Sequence, residues 1–249
     1  MSLIRASRHR SDISIEPTHD RIALEVERIR AAYSGRDERG LYSFFQPAQL
    51  LTIQERERKL LSLLKANGIR SLAQIKILEI GCGEGLWPRE FVNWGAKPEN
   101  LWGIDLLPDR INRARGLCPS GVTLECRDAS RLEFAEKQFD LVLQSTVFTS
   151  IIDPEVKRRV ALEILRVLRP GGLIIWYDFH VDNPRNPDVR GVGKSEIRRL
   201  FPNCTVSLQK LTLAPPIGRR VAPISTSLYR ALSHIKPLCT HYLGIIAKP

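Results

Sequence analysis

No stretch of this 249-residue sequence runs uninterrupted in apolar residues for the roughly 20 positions that a membrane span requires. The first ten residues, MSLIRASRHR, lack the apolar core of a secretory signal, so the expectation is a soluble, cytoplasmic protein. Cysteine is sparse and unpatterned. Cys82, Cys118, Cys126, Cys204 and Cys239 are an odd set of five with no C-x-x-C pair, which offers neither a disulfide framework nor a structural zinc site. Internal repeats and low-complexity tracts are missing as well. With 43% hydrophobic and 26% charged residues the composition is that of a globular chain, which excludes disordered, collagen-like and coiled-coil classes. Set against about 150 residues per domain, the length predicts one large domain, or one domain with an appendage.

What the sequence has in excess is positive charge, +11 overall, and its placement is uneven. Residues 77–184 carry 13 Lys/Arg against 16 Asp/Glu, a balance of −3, whereas residues 185–249 carry 11 against 2, a balance of +9. The middle of the chain is neutral to acidic and the flanks are basic, which points to an anionic partner met at the flanks.

Hydrophobic periodicity divides the chain. Ile22, Val26, Ile29 and Tyr33 recur at helical spacing between a candidate N-cap, Thr18, and a stop at Gly35. A second helix is predicted from Pro47 to Ala66, with Leu50, Leu51, Leu60, Leu61 and Leu64 as its apolar face and Asn67-Gly68 closing it. From Ile75 the pattern becomes short apolar runs (IKILEI, LWGID, VTLEC, FDLVLQ, LIIWYDF) separated by helices near 86–95, 108–116 and 153–168. Such runs read as a parallel sheet covered on both faces, an α/β doubly wound domain. Asp153 is the expected cap of the third of these helices, and Pro170-Gly171-Gly172 breaks it. After a helix near 193–200, CTVSLQKLTL and THYLGIIAKP are read as antiparallel edge strands. The predicted organisation is a helical cap over 1–70, an α/β core over 71–213, a basic insertion over 214–240 serving as a wall for substrate, and a final edge strand over 241–249.

The stretch with chemical content is Ile77-Leu78-Glu79-Ile80-Gly81-Cys82-Gly83-Glu84-Gly85, a buried strand running into a glycine-rich turn and then a helix. Glycine allows positive φ and close approach of a ligand, and the free N–H groups of the following helix face it, so the turn predicts a nucleotide-like cofactor. The run is G-x-G-x-G, not the G-x-G-x-x-G of a dinucleotide site, and it holds Glu79 and Glu84. Carboxylates there repel a pyrophosphate and suit a cofactor carrying an ammonium and a sulfonium, which disfavours an NAD oxidoreductase. Asp105, ending the second strand, is placed to accept from ribose hydroxyls, and Asp128-Ala129, after the third, to meet an adenine.

These motifs, LEIGCGEG, GIDLLPDRI, CRDASRLEF, FDLVLQSTVF and LRVLRPGGLIIWYDF, occur in an order and spacing that resembles the class I S-adenosylmethionine-dependent methyltransferases, in particular the small-molecule group of ubiquinone and menaquinone methyltransferases. The resemblance covers residues 75–180. It implies a mostly parallel seven-stranded sheet with an antiparallel C-terminal hairpin strand and N-terminal lid helices. It also implies S-adenosylmethionine as cofactor, with S-adenosylhomocysteine as product. Glu79, Gly81 and Gly83, with Cys82 in the same turn, would line the methionine end. Asp105 would hold the ribose, Leu106 the adenine face, Asp128 and Ala129 the adenine edge, and Gln144 would lie beside the transferable methyl. The implied reaction is in-line displacement onto an oxygen, ahead of a nitrogen, of an acceptor held about 3 Å from the methyl.

A hydroxyl acceptor needs a base. His180 is the first candidate because its ordinary pKa of about 6.5 suits the role; Asp178 and Tyr177 follow. Asp178, His180 and Asp182 imitate metal ligands, but no metal is called for. The flank charge and the mixture of Arg with Pro, Ile, Leu and Tyr in 214–240 suit a small or saccharide- or lipid-linked anionic acceptor, or peripheral contact with an anionic membrane surface. Two alternatives compete. A nucleic-acid methyltransferase would use the basic flank as a footprint, but the fourth strand ends in Gln144-Ser145-Thr146 and not in D/N-P-P-Y/F, and no Pro-Cys nucleophile occurs. A non-catalytic binding partner would not need Glu79, Gly81, Gly83, Asp105 and Asp128 intact.

Overall fold

Strands that are apolar on both faces must be covered on both, and the computed structural model, which describes residues 19–34 and 43–249, meets that demand with helices on each side of one sheet. Thr18 and Gly35, which carried expectations above, lie outside the described residues. The elements are α1 (His19–Ser34), α2 (Pro47–Ala66), β1 (Ile77–Ile80), α3 (Leu86–Asn93), β2 (Leu101–Asp105), α4 (Pro108–Leu117), β3 (Thr123–Cys126), β4 (Phe139–Ser145), α5 (Pro154–Val167), β5 (Leu168–Phe179), α6 (Lys194–Leu200), β6 (Thr205–Leu213), α7 (Pro215–Val221), α8 (Thr226–Ser233) and β7 (Cys239–Ala247).

The sheet order is β3-β2-β1-β4-β5-β7-β6, with β7 antiparallel to both of its neighbours. Leu78, Ile80, Val142, Ile174 and Trp176 pack under α5 and α6, while Ile77, Leu141, Leu143 and Ile175 pack under α2 and α3. Strand order reverses between β1 and β4, so a crevice opens at the carboxyl ends of β1, β2 and β4, the place where open α/β sheets take their ligands. Asp153 caps α5 as expected, its carboxylate accepting from Glu155 N at 2.8 Å and Val156 N at 3.1 Å.

Two expectations are corrected. The last strand is not an edge: β7 lies between β5 and β6, and β6 takes the edge. Burial explains the exchange, since β7 is covered along nearly its whole length while β6 alternates between exposed and half-covered residues before its buried end. The buried stripe of α2 is Ile53, Arg56, Leu60 and Leu64, whereas Leu50 and Leu61 face solvent. A charged residue therefore occupies a core-facing position. Residues 214–240 fold into α7 and α8, started by Pro215 and by the Ser225 hydroxyl, which accepts from Leu228 N at 3.2 Å.

Beneath the sheet's carboxyl edge, the His241 ring stacks on Tyr177 at 4.7 Å and lies 3.8 Å from Phe179. Burial, reinforced by the Arg56 and His180 charges, pushes its pKa down to about 3. An unfolded chain takes up a proton here below about pH 6.5 while the folded one does not until about pH 3, so this residue removes stability as pH falls through that window. Asp178 and Glu79, both raised by burial, act with the opposite sign. The difference between His241→Phe and the parent is thus the informative quantity: urea midpoints from pH 7 to pH 4 should fall less steeply in the variant, and parallel profiles would refute the assignment.

Candidate active site

β1 ends in a turn that only glycine can make. Gly81 and Gly83 have φ of +70° and +53°, and a Cβ on Gly81 would stand 2.5 Å from Val147 Cγ2, whereas one on Gly83 would point into open space. The turn is held from the neighbouring strand. Asp105, at the end of β2, accepts from Gly83 N at 2.9 Å with one carboxylate oxygen and from Leu107 N at 3.0 Å with the other, and Cys82 N donates to the Ile104 carbonyl at 2.9 Å. Each oxygen of Asp105 keeps a free lone pair. Asp128 is oriented in the same manner, by Ser130 N at 2.8 Å and the Ser130 hydroxyl at 2.7 Å. The Cys82 thiol is raised by burial and by Glu79 and Asp105 nearby, which keeps it protonated and inert.

Three buried polar atoms near this turn have no partner among the described residues: Glu79 Oε2, Arg56 Nε and Gln144 Nε2. Glu79 is 2% exposed; burial, with Asp105 adding repulsion, drives its carboxyl well above the usual range against the pull of Arg56 and Arg89. Arg56 is 8% exposed, its guanidinium lying 4.7 Å from the Tyr177 ring centroid and 5.2 Å from that of Trp87. Gln144 is fully buried and accepts from Val147 N at 3.2 Å through Oε1. Buried donors and acceptors are normally paired, so an unpartnered carboxyl oxygen, guanidinium N–H and amide around one strand end fit a ligand bearing both an ammonium and a carboxylate. Sequence reasoning missed Arg56; the available signal was its helical spacing with Leu60 and Leu64. Glu84 does not join them, being paired with Arg113 at 2.8 Å on the surface.

Beyond the strand ends lies a cavity open to solvent on one side. Gly81, Asp105, Leu106, Asp128 and Ala129 line it, while Glu79, Cys82, Gly83 and Gln144 do not. Its roof is α1, which contributes Val26, Ile29 and Tyr33, and the polar groups opposite are Ser145, Thr146 and Ser150. α1 is fixed by Glu25, whose carboxylate accepts from Ile152 N at 2.6 Å and Asp153 N at 3.3 Å and pairs with Arg28 at 2.9 Å. Burial opposes ionisation of Glu25, but these donors outweigh it and lower its pKa. The Tyr33 and Ser150 hydroxyls meet at 2.5 Å. No residue of α2, α7 or α8 lines the cavity, so 214–240 does not form the wall of this cavity that was expected of it.

The three candidate bases are not brought together. The Tyr177 hydroxyl pairs with Thr212 Oγ1 at 2.9 Å and is raised by burial. Asp178 accepts from Thr149 Oγ1 at 2.6 Å, Thr149 N at 3.2 Å and Phe179 N at 2.9 Å; burial pushes it up to about 7. It thereby fixes the segment that carries Ser150. His180 Nε2 faces the Cys239 carbonyl at 2.9 Å, so the hydrogen belongs on that nitrogen and Nδ1 is the basic one; burial lowers the pKa and keeps the ring neutral. None of the three lines the cavity. Asp182 accepts from Gly191 N at 2.8 Å and does not converge with Asp178 and His180.

Residues 77–172 match the family model described as "Methyltransferase domain". Among curated proteins, the chain is 31% identical over 128 residues to 2-methyl-6-phytyl-1,4-hydroquinone methyltransferase of Synechocystis sp., covering 50% of this chain and 38% of that protein. It is 32% identical over 134 residues to the ubiquinone biosynthesis O-methyltransferase of Cereibacter sphaeroides, covering 53% and 51%. The match thus spans about two fifths to one half of these relatives. In fold, it is similar to N-methyltransferase NodS from Bradyrhizobium japonicum WM9 in complex with S-adenosyl-l-homocysteine, with a TM-score of 0.63, 19% identity and coverage of 90% of this chain and 98% of that one. An S-adenosylmethionine dependent methyltransferase from Mesorhizobium loti aligns with a TM-score of 0.57 and 17% identity over 74% and 95%. Motif order, strand order and the domain match agree: residues 77–172 form a methyltransferase domain, and the sheet around them has the fold of the S-adenosylmethionine-dependent methyltransferases.

Proposed function

We propose that this protein transfers a methyl group from S-adenosylmethionine to an oxygen, ahead of a nitrogen, of a small acceptor that is part apolar and part anionic, such as a quinone-type ring with a lipid tail or a lipid-linked saccharide. The observation that carries the reading is the set of unpartnered buried atoms of Glu79, Arg56 and Gln144 at the end of β1, beside a cavity lined by Asp105, Leu106, Asp128 and Ala129. The curated relatives' names, a phytyl hydroquinone and ubiquinone biosynthesis, favour the acceptor class.

Within this reading Arg56 takes the cofactor's carboxylate, Glu79 its ammonium and Asp105 its ribose hydroxyls. Asp128 and Ala129 take the adenine edge against Leu106, and Gln144 points its free amide toward the methionine end. The bound cofactor supplies a methyl group already activated on a sulfonium. The chain's remaining work is to place the acceptor and take its proton. α1 covers the chamber from above; Tyr33, Thr146 and Ser150 offer polar contacts to an acceptor beside the apolar Val26, Ile29, Val147 and Ile151. His180, neutral and with Nε2 held by the Cys239 carbonyl, is the proposed base through Nδ1, reached by way of a water.

Incubation with methyl-labelled S-adenosylmethionine and a panel of lipid-tailed phenols, lipid-linked saccharides and RNA tests the acceptor class: label on a phenol or saccharide is expected, and label on RNA alone would overturn it. Asp105→Ala should weaken S-adenosylhomocysteine binding by about 1.5–3 kcal/mol in calorimetry, the scale of hydrogen bonds to a charged group. Arg56→Met should weaken S-adenosylhomocysteine by a similar amount while leaving free adenosine unaffected, and equal losses for both ligands would place the carboxylate elsewhere. His180→Ala should lower kcat with cofactor affinity unchanged; parent turnover would remove it from the mechanism.

A further inference from the structure

Residues 214–240 hold Arg219, Arg220, Arg230 and Lys236 and not one acid. They dock on the first turns of α2: Gly218 lies against Ala48, and the Tyr229 and Thr52 hydroxyls meet at 3.0 Å over a small core of Leu213, Ala222 and Tyr229. This packing uses only the inner sides of the helices. On the outer side Ile224 is 82% exposed and Leu228 48%, and in the turn leading into α2 Phe45 is 98% exposed and Phe44 50%. Single exposed apolar side chains are ordinary, but here they cluster on two segments that pack together. No carboxylate among the described residues pairs with Arg219, Arg220 or Arg230. The acid facing α8 from α2 is Glu55, whose carboxyl is raised by burial, and Lys236 donates to the Lys210 carbonyl at 3.2 Å.

We propose that this face, formed by the turn before α2 together with α7 and α8, docks on an anionic lipid bilayer. Phe45, Ile224 and Leu228 enter the boundary between headgroups and acyl chains while the arginines meet lipid phosphates. Charge complementarity selects this occupant. A second copy related by a twofold axis would bring the same cations against one another with no acid of 214–240 between them. A nucleic acid would satisfy the arginines and leave Phe45 and Ile224 in water. The inference rests on the proposed function for its purpose, since a bilayer is where lipid-tailed acceptors are found, but its test reads binding alone.

Flotation with vesicles of phosphatidylglycerol and phosphatidylcholine in equal parts, against phosphatidylcholine alone, decides the matter. The protein should float with the anionic vesicles at low salt, and its partition should fall on the order of tenfold or more in Phe45→Ser/Ile224→Ser and in Arg219→Glu/Arg220→Glu. Leu162→Ser, an exposed leucine on α5, should partition like the parent. All substituted side chains are exposed, so melting curves should be unchanged. Failure to float on anionic vesicles, or parental flotation of either double variant, would overturn the proposal. So would a dimer in light scattering that Phe45→Ser/Ile224→Ser dissolves, or tight RNA binding that this variant leaves intact. Failure of the parent protein to float, with S-adenosylhomocysteine binding intact, refutes the docking face and leaves methyl transfer standing; parental flotation without S-adenosylhomocysteine binding does the reverse.

Discussion

The bridge formed by Asp105 is the constraint on which the ligand-facing end of this molecule depends. One carboxylate ties the turn after β1 to the turn after β2, through Gly83 N and Leu107 N, and so fixes two backbone segments that otherwise share only the strand ladder. Because Gly81 is confined against Val147 on one side, the turn has a single way to run, and its open side at Gly83 is free of protein atoms. The electrostatics follow from the same geometry. Burial, with Asp105 adding to it, raises the Glu79 carboxyl, and Arg56 and Arg89 only partly offset the two. Glu79 Oε2 and Arg56 Nε are both buried without a partner, an arrangement that is costly in the absence of a polar ligand.

The glycine turn and the acids at the strand ends were legible in the sequence because their places are set by the backbone. A glycine that must adopt positive φ and an acid that must end a strand recur at fixed distances from the strand itself, so Gly81, Gly83, Asp105 and Asp128 could be placed from spacing alone. Arg56 was not legible, because a charged residue within an amphipathic helix reads as solvent-facing, and here it fills a core-facing turn between Trp87 and Tyr177. The helices of 214–240 escaped for a related reason: prolines that look like breakers act instead at helix starts, where no N–H bond is lost. The position of β7 was written in its burial, for Tyr242, Leu243, Ile245 and Ile246 fill both faces while β6 retains Thr205, Ser207 and Gln209. Reading order along the chain as order across the sheet hid it.

The roof over the cavity is held by polar contacts, not by a large apolar seam. Glu25 supplies acceptors to the backbone groups that open α5, Arg28 reaches the Ser150 carbonyl at 2.5 Å, and Arg21 pairs with the cap residue Asp153 at 2.5 Å. The same residue, Asp153, therefore starts α5 and anchors the helix above it. Polar attachments of this kind break and reform more readily than a packed core, which suits an element that must admit and release ligand. Asp178 steadies the opposite side through Thr149, so the chamber has one firm wall and one wall that can yield.

The interior place of β7 also governs the order of assembly. β5 and β6 do not touch; each meets the sheet's last strand and nothing bonds them until it arrives. As the polypeptide leaves the ribosome, β6 emerges with no neighbour to accept it and the flank of β5 stays open for pairing. Only when those nine residues slide between them does the half-built layer close, which makes this insertion a late, long-range step and its absence an invitation to aggregate.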